Sequence, residues 1–142
     1  ILIQAASAGA DDAAAAQPPP LTPAECDGLA AKWGPAFTKL GLGDGAADFR
    51  ALFAAAGVAI TMPGGQQMTV AGEQSFEDFG AKLQAQLAAV NYAKTEATSQ
   101  GAQGNKMILE YRRFNTAGEN YHTGCALATV EGGLVADLQV YS

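Results

Sequence analysis

The side chains best equipped for chemistry gather towards the C-terminus, between Asn105 and Ser142. Tyr111 and Arg113 stand two apart; so do the members of Tyr121, Thr123, Cys125 and Leu127, and those of Val135, Asp137, Gln139 and Tyr141. Residues two apart share a face of a β-strand, so each set would project together if this stretch is extended. A carboxylate such as Asp137 can take a proton, and Tyr111 or Tyr121 can donate to a developing oxyanion. Plainer uses stand beside these. An Asp next to an Arg is ordinarily an ionised partner with a lowered pKa, hence a poor base. A tyrosine on a sheet is ordinarily packing with a satisfied hydroxyl. His122, the only histidine, has the opposite parity from Tyr121 and Thr123. Parity groups it with Arg112, Phe114 and the row Leu134, Ala136, Leu138 and Val140, as a surface or interface residue before a general base.

Other chemistries find little support. Cys26 and Cys125 form neither a CxxC pair nor a cluster with histidine, so no metal site is expected and no cofactor is implied. A long-range disulfide and two free thiols both fit the spacing. The glycines of GLGDG precede a helix, but no strand feeds them and no GK[ST] follows, so they read as helix stop and turn.

The elements that must position these residues follow from pattern. Asn105–Ser142 reads as three strands rich in β-branched and aromatic residues, separated by the turn signals NTAGEN and VEGG. Upstream, Thr22-Pro23-Ala24-Glu25 fits a capping box that opens a helix with Leu29, Trp33, Phe37 and Leu40 on one face. Pro35 predicts a kink or break in it. A second helix is predicted over 46–56 with Phe49, Leu52 and Phe53 as its apolar face, a hairpin over 58–71 and an amphipathic helix from Glu73 with Phe76, Phe79, Leu83 and Leu87 inward. A strand over 90–99 precedes the final three. The order predicts an α+β fold, with three helices on one face of a mostly antiparallel sheet.

The chain has 142 residues, 49% of them hydrophobic, enough for one domain with a core. A net charge of -6 with only 8 Lys plus Arg argues against nucleic acid as a partner. No apolar run reaches the ~18 residues of a membrane span. Residues 1–21 are an Ala/Pro-rich tail, and its AASA resembles the end of a cleaved targeting peptide, which would place the protein in an organelle or secretory compartment. A low-complexity extension is the alternative. Such a tail buries little against its ordering entropy, so it is expected to be held by the domain, a second copy or a larger assembly.

A series of motifs over 22–142 resembles a known family. It comprises Trp33 in the first helix, GDG, DFRALFAAAGVAITMPGG, VAGEQSFEDF, and a last strand opened by GGLV and closed by VYS. Together these resemble the SnoaL-like branch of the nuclear-transport-factor-like superfamily. The resemblance implies a bent sheet wrapped around the three helices as a cone with an internal cavity. Members use that cavity for ketosteroid isomerisation, polyketide cyclisation, epoxide hydrolysis, dehydration or no chemistry, and several associate through the outer sheet face. Placed on the family pattern, the set Val135, Asp137, Gln139 and Tyr141 faces the cavity with Leu109, Tyr111, Arg113 and the Tyr121 set. Trp33 and Phe37 form its apolar wall. A one-residue slip reverses this assignment. The epoxide-hydrolysing branch needs an Asp-Arg-Asp set where this chain has Tyr111, Arg113 and Gln139, so that chemistry is not expected.

Two functions follow. The leading expectation is a structural or interaction subunit, a homodimer or part of an assembly, working through the tail and through Arg112, Phe114, His122, Leu134, Leu138 and Val140. The alternative is a cavity that binds a hydrophobic carbonyl compound or acts on it by acid–base chemistry. Its ligand-binding candidates are Trp33, Phe37, Tyr111, Arg113, Tyr121, Asp137, Gln139 and Tyr141, with Asp137, Arg113, Tyr111 and His122 as catalytic candidates.

Overall fold

The computed structural model describes residues 19–141. The interactions expected of the tail fall on 1–18 and lie outside the described residues. Just ahead of the first helix, the Leu21 amide donates to the Gly104 carbonyl at 2.8 Å.

Helix α1, Pro23–Gly41, begins at the predicted capping box. The Glu25 amide donates to Thr22 Oγ1 at 3.2 Å and the Thr22 amide to Glu25 Oε1 at 3.0 Å, a cap worth ~1 kcal/mol. Contrary to expectation, α1 runs unbroken through Pro35. Pro35 is exposed and so is Ala31, whose carbonyl it leaves without an amide donor, so solvent can take that group. Neighbouring Gly34 lets the helix backbone lie on the sheet: a Cβ there would come within 3.0 Å of the Thr95 carbonyl oxygen.

Helix α2, Ala46–Arg50, is shorter than predicted. The chain leaves it to pair with the start of the last strand, where Ala54 N donates to Val135 O and Val135 N to Leu52 O, both at 2.9 Å. Backbone pairing with the sheet replaces the helical bonds, and Leu52 and Phe53 stay buried. The predicted hairpin is β1, Val58–Thr61, and β2, Gln67–Val70. Helix α3 is Glu73–Ala88. Strands β3, Tyr92–Gln103, β4, Lys106–Asn115, β5, Asn120–Glu131, and β6, Leu134–Tyr141, complete the chain.

The fold is α+β. One six-stranded sheet has the order β2-β1-β6-β5-β4-β3, with only β1 and β6 parallel. The helices cover one face, where Trp33, Phe37, Phe49, Phe53 and Phe76 pack on Met107, Leu109, Ala126, Ala128 and Leu138. Middle strand β5 presents only small residues there between His122 and Val130, namely Gly124, Ala126 and Ala128.

Two bulges decide which side chains face the helices. Beyond the β4–β5 turn Phe114 pairs with Asn120, but Arg113 pairs with His122, so Tyr121 is an extra residue in β5. The slip makes β5 face inward with its even-numbered residues, reversing the expected set. In the next hairpin Val130 pairs with Val135 while Thr129 pairs with Asp137, so Ala136 is extra in β6. That second slip keeps Val135 inward but turns Leu138 and Val140 inward as well, and Asp137, Gln139 and Tyr141 outward. Each bulge moves the pairing by one residue, which in a period-two structure exchanges the faces. Asn120 braces the first bulge. In the amide orientation that satisfies its neighbours it donates to the carbonyls of Arg113, 3.2 Å, and His122, 2.9 Å, and accepts from Thr123 Oγ1 at 3.1 Å.

Candidate functional site: a cavity between the helices and the sheet

Between the inward face and the helices lies a small, partly open cavity of ≈ 70 Å³. Helix α1 contributes Trp33 and Phe37, and α3 contributes Phe79 and Leu83. Phe53, Ile60 and Met62 close a third side. The sheet supplies Thr95, Tyr111, Arg113, Ala126, Leu138 and Val140. Arg113 is the one charged residue of this lining, and Thr95 and Tyr111 are the other polar ones.

Thr95 is held by a hydrogen-bond chain. Its amide donates to Thr38 Oγ1 at 3.0 Å, and that hydroxyl donates to the Gly34 carbonyl at 2.9 Å. The Thr95 hydroxyl bonds the Tyr92 hydroxyl on its other side. Tyr111 lies across β5, because Gly124 leaves the space: a Cβ there would sit 2.5 Å from the Tyr111 hydroxyl. Burial raises the Tyr111 pKa, with Arg113 opposing, so its hydroxyl stays protonated and can donate.

Arg113 departs most from ordinary packing. Its guanidinium carbon lies 5.2 Å from the centroid of the Tyr111 ring. Its Nε is buried without a hydrogen-bond partner. Among the described residues no carboxylate lies within 4.0 Å of it, whereas exposed Arg112 next to it pairs with Glu110 at 3.3 Å. An unpartnered buried donor costs ~1–3 kcal/mol, so this arrangement is held at the expense of stability.

His122 stands opposite Arg113 on β5, with its ring 5.8 Å from that of Tyr111. Burial lowers its pKa, and the neighbouring Arg113 charge lowers it further. The imidazole is therefore neutral at physiological pH and can accept a proton.

The expected sites divide accordingly. Trp33, Phe37, Tyr111 and Arg113 line the cavity. Asp137, Gln139 and Tyr141 do not: they project from the opposite sheet face, where the Tyr141 hydroxyl donates to Gln139 Oε1 at 2.8 Å. The supposed Asp137–Arg113 pair is thus not assembled. Thr123, Cys125 and Leu127 face outward too. Tyr121, the extra residue of the bulge, is 38% exposed and outside the lining, though its pKa, raised by burial, still responds to Arg113. Of the expected outer surface, Arg112, Phe114 and Leu134 face outward, while His122, Leu138 and Val140 are turned inward. Cys26 is buried and Cys125 half-buried, both as free thiols. Among the described residues no group of three or more His, Cys, Asp or Glu could hold a metal ion, and no helix is long and apolar enough to cross a membrane. Sequence reasoning missed Thr95, Phe53 and Phe79 as cavity wall. The helical spacing of the phenylalanines put both in the core, but nothing local marks the hollow beside them.

No protein-family model matches the sequence, and no curated protein does. Solved structures do match. A candidate isomerase of the SnoaL-like family from Agrobacterium tumefaciens superposes with a TM-score of 0.63 at 14% identity, covering 82% of this chain and 96% of that one. A candidate polyketide cyclase from Sinorhizobium meliloti gives 0.56 at 16%, covering 84% and 99%. A de novo designed protein of the NTF2 fold gives 0.57 at 15%, covering 84% and 85%. Helix order, sheet topology and these superpositions together show that the chain has the same α+β cone fold as these SnoaL-like and NTF2-fold structures.

Proposed function

We propose that the chain binds a small, largely apolar molecule bearing a carbonyl-type oxygen in the cavity between helices and sheet. The observation that carries this reading is the composition of the lining: aromatic and aliphatic walls with three polar side chains, Thr95, Tyr111 and Arg113, on adjacent strands. Small-molecule sites are commonly built this way, with an apolar enclosure that supplies affinity and a few polar groups that fix orientation. A volume of ≈ 70 Å³ is well below the ~300 Å³ at which such sites usually begin, so the ligand is small or inserts only its end. The names borne by structures of the same fold, a candidate isomerase and a candidate polyketide cyclase, are in keeping with a cavity used for small molecules.

The test is titration of the protein with benzamide, followed by NMR. Shifts should concentrate on Trp33, Phe37, Tyr111 and Leu138, and Ala126→Leu, which fills the cavity, should weaken binding at least about tenfold. Unchanged affinity in a folded Ala126→Leu variant would sink the reading.

His122, inward and beside Tyr111 though outside the cavity lining, favours a second reading, acid–base chemistry on a carbonyl compound that reaches past Tyr111. Its neutral imidazole would take a proton next to the carbonyl, while Arg113 and the Tyr111 hydroxyl would stabilise the resulting enolate oxygen. Deuterium exchange into a bound ketone such as acetophenone, carrying an exchangeable α-proton, should be accelerated by the protein and lost in His122→Gln. Equal exchange rates with and without protein would discard the catalytic reading and leave binding standing.

A further inference from the structure

We infer that the molecule taken by the cavity carries a carboxylate, and that Arg113 is its receptor. This rests on the binding reading above and specifies the charge of the ligand. The contrast between Arg112 and Arg113 motivates it. Arg112, largely in water, has Glu110 beside it, whereas Arg113, facing the hydrophobic interior, has no carboxylate within ion-pair distance among the described residues. Asp137, the acid the strand pattern would have placed beside it, is on the other side of the sheet.

Arg113 is half-buried, with its Nε out of water and unpaired; a cation partly desolvated without a counter-charge is held at a cost that falls when an anion arrives. A neutral carbonyl could occupy one donor but would leave the charge uncompensated. A carboxylate matches the planar fork with two parallel hydrogen bonds and cancels the charge. The remaining wall, Trp33, Phe37 and Phe53, would receive an aromatic or aliphatic body. The lining contains no acidic side chain that would repel an anion.

Benzoate and benzamide form a matched pair, nearly equal in shape and different in charge. Calorimetric titration should give benzoate an affinity at least about tenfold above benzamide. Arg113→Met should abolish the preference, lowering benzoate by at least about tenfold and benzamide by a smaller factor, and Arg113→Lys should keep part of the preference, because the charge remains and the fork is lost. Equal affinities in the wild type, or a preference that survives in Arg113→Met, would overturn the carboxylate assignment alone. Binding of neither compound would overturn the cavity reading together with it.

The only histidine supplies a readout that mere packing would not move. His122 is faced by Arg113 and Tyr111 from β4 and adjoins Tyr121 on its own strand. Neutralising Arg113 removes the repulsion between the two cations, so saturating benzoate should raise the NMR titration midpoint of His122 and benzamide should leave it in place. A midpoint indifferent to saturating benzoate contradicts the assignment.

Discussion

Leu109 and Arg113 occupy the same face of β4, two alternations apart, and they are treated in opposite ways. Leu109 is 0% exposed, pairs across the sheet with Ser99 and Ala126, and belongs to a continuous apolar core. Arg113 ends that row with a buried, unpartnered Nε beside a hollow. Around Leu109 every group is chosen for close packing; around Arg113 packing is incomplete and a donor is left waiting. One half of the sheet carries the stability that the other half gives up, and polar groups held against their own stability are where function is to be sought.

Substitution at the two positions should therefore have opposite signs. Leu109→Ala removes packed methyl groups that nothing replaces, and chemical denaturation should show a loss of ~2–5 kcal/mol. A loss under ~1 kcal/mol would mean that the core there is as loose as the cavity half. Arg113→Met keeps the apolar stem, removes the unpartnered donor and its charge, and should raise stability by ~1–3 kcal/mol. A destabilised Arg113→Met would show that the guanidinium is satisfied after all, and the contrast between the halves would fail.

The smallest expected effect is a dependence on pH. In the folded state His122 sits below its ordinary value of 6.5, through burial first and Arg113 second. The unfolded chain then binds the proton more readily, so ν is larger for the unfolded state and stability rises with pH in that interval. On acidification the loss should begin near 6.5 and end once the folded-state imidazole is itself protonated. His122→Gln should flatten that part of the profile. A slope unchanged by the substitution would place its origin in other groups and remove His122 from the electrostatic neighbourhood of Arg113.

Much of the fold was legible in local sequence, since its signals are local. The Thr22–Glu25 capping box and the Asn115 turn, where Asn115 Oδ1 accepts from the amides of Ala117 and Glu119 at 3.0 Å each, involve residues within one turn of each other. The site was half legible. Strand parity placed Tyr111 and Arg113 together because β4 is regular from Met107 to Arg113. It misplaced Asp137, Gln139, Tyr141 and His122, because a bulge is a property of two paired strands. The extra residues Tyr121 and Ala136 have nothing unusual in their own chemistry. Pro35 shows the same limit from another side, since a break suggested by the backbone rule is overruled by helix packing and by exposure of the affected carbonyl.

The short inward side chains of β5 have a consequence for how this protein could change. Gly124, Ala126 and Ala128 stand in a row beneath the aromatic helices, so the shape of the interior there is set by what is missing from the middle strand. Lengthening Ala126 narrows the chamber without disturbing a hydrogen bond, and shortening its neighbour Val140 on β6 widens it on the same terms. Gly124 is not free in this way, because a side chain there would meet Tyr111 and the Tyr141 carbonyl. Chamber size can thus be retuned from the strand floor while Arg113 keeps its place on β4, so the dimensions of an acceptable guest and the group that greets its charge can vary independently.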